Sequence, residues 1–196
     1  MPVIEALLTE VDAAWQLPGP KIRLRIVGST ALMLQTSHAR GTKDSDVLET
    51  DEVTENVARH LIEIAGPDTE IHKRRGVYID IVRRGVQFRR QAPVYHHLSN
   101  LSAALQHFEV EVMSVSDVIV GKLARFNAND RNDIDAMVEG EFVAHDEIVS
   151  CFREAVDFKM DMTSEEFARF VKNLNAMERD MFAVPETEID EPSWLR

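Results

Sequence analysis

A chain of 196 residues with 44% apolar residues can build a real core, as one domain or a domain with a helical extension, and no segment reaches the ~18 uninterrupted apolar residues of a membrane span. Its charge, 22 − 34 = −12, excludes the broad basic face that extensive binding of duplex nucleic acid requires. A single cysteine, Cys151, excludes an internal disulfide and a cysteine-based zinc site. The start, "MPVIEALLTEVDAAW", lacks the basic end, apolar stretch and cleavage site of a secretory signal, so a cytoplasmic protein is expected.

Val3, Ile4, Leu7, Leu8, Val11 and Trp15 recur at helical spacing and predict a first amphipathic helix, ended by "LPGP". "KIRLRIV" alternates and then turns apolar, as a strand entering a core does. Gly28 follows, and "STALMLQ" reads as a short helix opened by Ser29 or Thr30. "DSDVLE" suits a second strand. A helix is expected from Val53 to Ala65, with Val57, Leu61 and Ile64 on one face. "GVYIDIV" is a third strand, "GVQFRR" and "VYHHL" are weaker strand candidates, and "FEVEVMS" is a clean one. Residues 72–75 ("HKRR") and 83–90 ("RRGVQFRR") form a basic island: either solvated strand edges or a surface facing a polyanion.

From Ser116 the pattern is helical. "SDVIVGKLARF" and "RNDIDAMV" form two helices across a polar turn, "NAND". "DEIVSCFREAVDF" and "SEEFARFVKNLNAMERDMF" form two more, the latter opened by Thr163 and Glu166 at capping-box spacing. The acidic, proline-containing tail "AVPETEIDEPSWLR" is either loose or pinned by Trp194. The expected class is α+β: a mixed sheet with flanking helices over residues 1–115, a helical part packed on it over 116–183, and a tail over 184–196.

The chemistry centres on residues 27–49, "VGSTALMLQTSHARGTKDSDVLE". On a strand, Asp44 and Asp46 face the same way, ~7 Å apart at Cα. Such carboxylates repel one another unless cations neutralise them, and hard oxygen donors suit Mg²⁺, which takes one or two carboxylates and otherwise water and phosphate oxygens. Gly28-Ser29, at a helix start, offers free amides to phosphate oxygens. Asp80, in "VYIDIV", is the candidate third carboxylate, since a lone charge inside an apolar strand is costly unless paired. The competing partner for it is an arginine of the basic island.

The Gly-Ser turn, the spaced D-x-D and the later strand aspartate resemble the DNA polymerase β-type nucleotidyltransferase superfamily. Within it, "RGTKDSDV" is similar to the R-x-T-x-D-x-D form of AbiEii-like toxin nucleotidyltransferases and related uncharacterised bacterial proteins. "SDVIVGKLARFNANDRNDIDAM" resembles that group's helical segment, in which a lysine precedes R…RD…D. The resemblance spans roughly residues 22–138. Ser45 stands where the family more often has an apolar residue.

By that resemblance Asp44 and Asp46 are metal ligands and Asp80 is the third ligand or the general base. Gly28 and Ser29 contact phosphates, Lys122 reaches a triphosphate, and Asp130 supports it. Arg40, Thr42 and Lys43 form the approach, one of them facing phosphate. The residues alone leave other roles open. Lys122 lies beside Val118, Ile119, Leu123 and Phe126 and can instead snorkel at a core edge. Asp130 and Asp133 can cap the next helix, and Asp133 is expected to do little more.

The implied cofactor is Mg²⁺, as one ion or two, with Mn²⁺ as the alternative. The implied reaction transfers a nucleoside monophosphate from a nucleoside triphosphate to a protein side chain, an RNA 3′ end or a small molecule. The group further implies a partner protein in a toxin–antitoxin pair, and the apolar pattern of the sequence implies no membrane. The competing class is a non-catalytic module that keeps the fold and binds a nucleotide or a partner.

Overall fold

The computed structural model describes residues 3–39, 41–83 and 85–195. The chain divides into two compact units, Met1–Gly85 with Tyr95–Met113, and Val86–Val94 with Ser114–Arg196. No described helix is long and apolar enough to cross a membrane.

The first unit is a five-stranded mixed sheet with helices. In chain order it runs α1 (Val3–Ala14), β1 (Ile22–Val27), α2 (Gly28–Gln35), β2 (Asp44–Leu48), α3 (Glu55–Ala65), α4 (Glu70–Arg75), β3 (Tyr78–Val82), β4 (Tyr95–His97), α5 (Ser99–Ala104) and β5 (Phe108–Met113). The strand order is β3-β2-β1-β5-β4. β1 runs antiparallel to β2 and parallel to β5; β2 and β3 are parallel, and β4 and β5 antiparallel.

Register and strand alternation sort the side chains onto two faces. One carries Leu24, Ile26, Val47, Ile79, Phe108, Val110 and Val112, all buried. α1 buries Ile4, Leu7, Leu8 and Val11, and Trp15 just beyond it meets Phe108 edge-on at 4.9 Å. Asp12 anchors this end by accepting from the amides of Gln106 (2.8 Å) and His107 (2.7 Å). The other face is polar: Arg23 and Arg25 on β1, Asp44 and Asp46 on β2, Tyr78 and Asp80 on β3, Glu109 and Glu111 on β5. Arg25 Nε donates to Glu111 Oε2 at 3.0 Å, and its guanidinium lies 4.9 Å from the Tyr95 ring centre.

The second unit holds α6 (Val115–Leu123), α7 (Ala128–Glu139), α8 (His145–Phe158), α9 (Ser164–Met177), a π-helical turn (Glu178–Phe182) and a short 3-10 turn (Ser193–Leu195). The Thr163–Glu166 capping box forms as its spacing indicates, and a second one, Asn127 with Asp130, opens α7 inside the stretch expected to be a turn. Phe88 inserts among these helices, its ring 5.2 Å from Phe152 and 4.6 Å from Phe170.

Several expectations are corrected. "HKRR" is the last turn of α4, opened by Thr69 and closed at Gly76 with φ +71°, and not a strand edge. Residues 86–91 form no strand, because Phe88 and Arg90 are held by side chains and not by a ladder. α5 carries no helical stripe strong enough to be foreseen; Ser102 holds it to β5 by accepting from the Val110 amide at 2.9 Å. Of the two readings of the tail, pinning holds, but through Thr187: its amide donates to the fully buried Glu178 at 2.8 Å, and His145 Nε2 lies 2.8 Å from the same carboxylate.

Candidate active site

The parallel register of β2 and β3 pairs Asp44 with Tyr78 and Asp46 with Asp80. With alternation, these four side chains form a two-by-two block on the polar face. β1 lies on the other side of β2, and its last residue, Val27, pairs with Asp46. The start of α2 at Gly28 therefore adjoins Asp46 on the side away from β3.

Gly28 has φ +66°, and a Cβ there would stand 2.6 Å from Asp46 Oδ2. Glycine is thus required twice, for the left-handed backbone and for room. The close approach it permits is that of the Asp46 carboxylate. No side chain of the cap residue, Val27, engages the first amides of α2, and its first turn carries no acidic residue.

Asp44 is fixed from several sides. Thr30 Oγ1 donates to its carbonyl at 3.1 Å, and Thr42 Oγ1 lies 3.1 Å from that carbonyl and 3.2 Å from Oδ1. Thr42 thus orients an aspartate. Lys43 is exposed, and its carbonyl accepts from the Tyr78 amide at 3.0 Å. Arg40 lies outside the described residues. Between the two aspartates, Ser45 points into the apolar face, fully buried, with no partner for Oγ.

Asp80 departs from the premise that singled it out. It is exposed, because β3 is the edge strand of the sheet, so no buried charge demands a partner. Its Oδ1 accepts from the Ile81 amide at 2.9 Å, and no described arginine pairs with it. Tyr78 beside it is half-buried, with its ring 5.0 Å from that of His72 at an interplanar angle of 70°. Burial pushes its phenol pKa up, and Asp44, Asp80 and Asp46 push the same way. The phenol was not among the sequence candidates, although its two-residue spacing from Asp80 was there to be read.

Lys122, Asp130 and Asp133 form a network within the second unit. Lys122 is 7% exposed, and its Nζ lies 2.7 Å from Asp133 and 3.3 Å from Asp130. Arg125 grips Asp130 with Nε at 2.8 Å and Nη2 at 2.7 Å. Burial raises the Asp130 pKa, but Arg125 and Lys122 outweigh it and hold the carboxyl below its usual range. Asp133 does more than cap a helix: it is fully buried against the Lys122 ammonium.

A second network, missed from sequence, joins Arg90 to the buried Asp117 at 2.9 and 2.8 Å. Asp117 also accepts from the Val94 amide at 2.9 Å and the Ser114 hydroxyl at 2.7 Å. Burial raises its pKa, and Arg90, Ser114 and Val94 together bring it below the ordinary value. Cys151 is buried beside it, its thiol pushed up first by burial and then by the Asp117 charge. Such a thiol is inert at neutral pH.

Among the described residues, no group of three or more His, Cys, Asp or Glu side chains is gathered to hold a metal ion. Asp80 is turned onto its own strand, Asp44 is held by Thr42, and Asp46 lies against Gly28. The all-oxygen donors of Asp44 and Asp46 still fit Mg²⁺, which needs only one or two carboxylates and fills its shell with water and phosphate oxygens.

A five-stranded mixed sheet with flanking helices is consistent with a nucleotidyltransferase-like fold. The chain belongs to the family described as nucleotidyltransferase of unknown function (DUF6036), whose model matches residues 6–181. The match supports a nucleotidyltransferase family and not the AbiEii-like assignment. No curated protein and no solved structure matches the chain.

Proposed function

We propose that this protein is a Mg²⁺-dependent nucleotidyltransferase acting through Asp44, Asp46 and Asp80. The observation that carries the reading is the register of β2 and β3, with Asp46 opposite Asp80 and Asp44 on the same face, beside the start of α2. Asp44 and Asp46 hold the metal, which when bound offsets phosphate charge and favours an ionised acceptor hydroxyl. Mn²⁺ would suit the same donors.

The amides at Gly28 and Ser29 receive the outer phosphates of the triphosphate. Asp80 takes the acceptor proton, the acceptor oxygen bonds to the α-phosphorus, and the bond to pyrophosphate breaks. Thr42 holds Asp44 in place for this work. Lys122 and Asp130 support the helices of the second unit, their charges balanced by Asp133 and Arg125.

The acceptor is a protein side chain, an RNA end or a small molecule. A net charge of −12 disfavours long nucleic acid, and Arg74 and Arg75 of the basic island are engaged by Glu10. A toxin–antitoxin setting fits the motif resemblance. One observation favours the alternative of a non-catalytic nucleotide-binding module: the Asp80 carboxylate is turned onto the Ile81 amide.

The test is pyrophosphate release from each of the four triphosphates with Mg²⁺, alongside labelled-nucleotide transfer to molecules in cell extract. Wild-type protein is expected to release pyrophosphate and label one acceptor class; Asp44→Ala should lose both by at least about 100-fold. Nucleotide binding without release or label would establish the module.

A further inference from the structure

The order of elements across the polar face gives the reaction a direction. Gly28 and Ser29 lie on the β1 side of Asp46, and Asp80 and Tyr78 on its β3 side. In phosphoryl transfer the entering and leaving oxygens stand in line on opposite sides of the phosphorus. With the leaving pyrophosphate held at the start of α2, the acceptor must enter from β3, the edge strand of the sheet.

Tyr78 stands on that path. It is the cross-strand neighbour of Asp44, shares a face with Asp80 two residues on, and is only half-buried. A phenol reaches farther from a strand than a carboxylate does, and this one springs from the residue paired with Asp44. His72 braces the ring edge-on from α4.

We infer that Tyr78, braced by His72, contacts the acceptor and selects one that presents a planar or apolar surface beside its hydroxyl. The inference rests on the nucleotidyltransferase reading and adds to it the acceptor's side of the site. The ring is the working part, so Tyr78→Phe keeps the contact and Tyr78→Leu loses it.

The experiment uses the α-labelled triphosphate that the wild-type protein consumes, with cell extract as the source of acceptor. Tyr78→Leu should raise the extract concentration needed for half-maximal labelling by about tenfold and leave the KM for the triphosphate within about twofold. Tyr78→Phe should track wild type, and His72→Ala should shift the same acceptor constant in the direction of Tyr78→Leu. If Tyr78→Leu fails to fold, His72→Ala decides the matter.

Labelling curves that coincide for wild type and Tyr78→Leu, or for wild type and His72→Ala, overturn the inference. So does a larger effect on the triphosphate than on the extract. Label found on Tyr78 itself by mass spectrometry also overturns it, by making the phenol the acceptor. Wild-type protein that consumes no triphosphate removes the transferase reading and this inference together, an outcome distinct from normal transfer that ignores Tyr78.

Discussion

At Gly28 a single methyl group is expected to have two separable effects. The φ of +66° makes any side chain strained there, and the new Cβ would meet Asp46 Oδ2 at 2.6 Å. Gly28→Ala should cost about 1–2 kcal/mol in thermal or urea unfolding. Because the carboxylate must move, pyrophosphate release should fall by about 100-fold or more, well beyond what the lost stability explains. Ser45→Ala is expected to do the opposite. Its hydroxyl is fully buried without a partner, so removal should raise stability by about 1 kcal/mol and leave transfer unchanged, since Ser45 faces away from the aspartates. Strand alternation made this pair of faces legible in "DSDVL", and Ser45 already stood out at a position where apolar residues are usual. The exposure of Asp80 was not legible. It depends on β3 being the edge strand, a consequence of pairings between segments distant in sequence.

Elements with strong local signals were readable and those defined by distant partners were not. α1, α9 and β5 follow from periodicity and from the Thr163–Glu166 box. Residues 86–94 do not: "GVQFRR" looks like a strand, yet Arg90 belongs to a buried ion pair with Asp117 at the start of α6. A charge pair 27 residues apart leaves no periodic trace. Its energetic weight is testable. Asp117→Ala strips Arg90, Val94 and Ser114 of their shared acceptor and leaves a largely buried guanidinium with only the half-exposed Glu154, 3.8 Å away, as a charge partner. Urea unfolding should show a loss of about 3 kcal/mol or more, whereas breaking a fully exposed pair such as Lys73–Glu70 should leave the unfolding midpoint nearly unchanged.

For the whole molecule, charge sets how stability depends on pH. At neutral pH the chain carries a formal −12, and mutual repulsion among carboxylates is eased as acid begins to protonate them. Asp117 and Asp130 act in the other direction. Both have folded pKa values held below the ordinary 3.8, so their contribution is fully present above that value and is lost as pH falls below it toward the folded values. The thermal midpoint should therefore stay level or rise slightly from about pH 7 to pH 5, and drop below about pH 4. Both carboxylates belong to the second unit, so its helices should open first. Pulse-labelled hydrogen exchange should show α6 and α7 losing protection at a higher pH than β1 and β5. A midpoint that falls steadily between pH 7 and pH 5 would mean that groups other than these two buried carboxylates govern acid stability. Simultaneous loss of protection in both units would instead show that they unfold as one cooperative body.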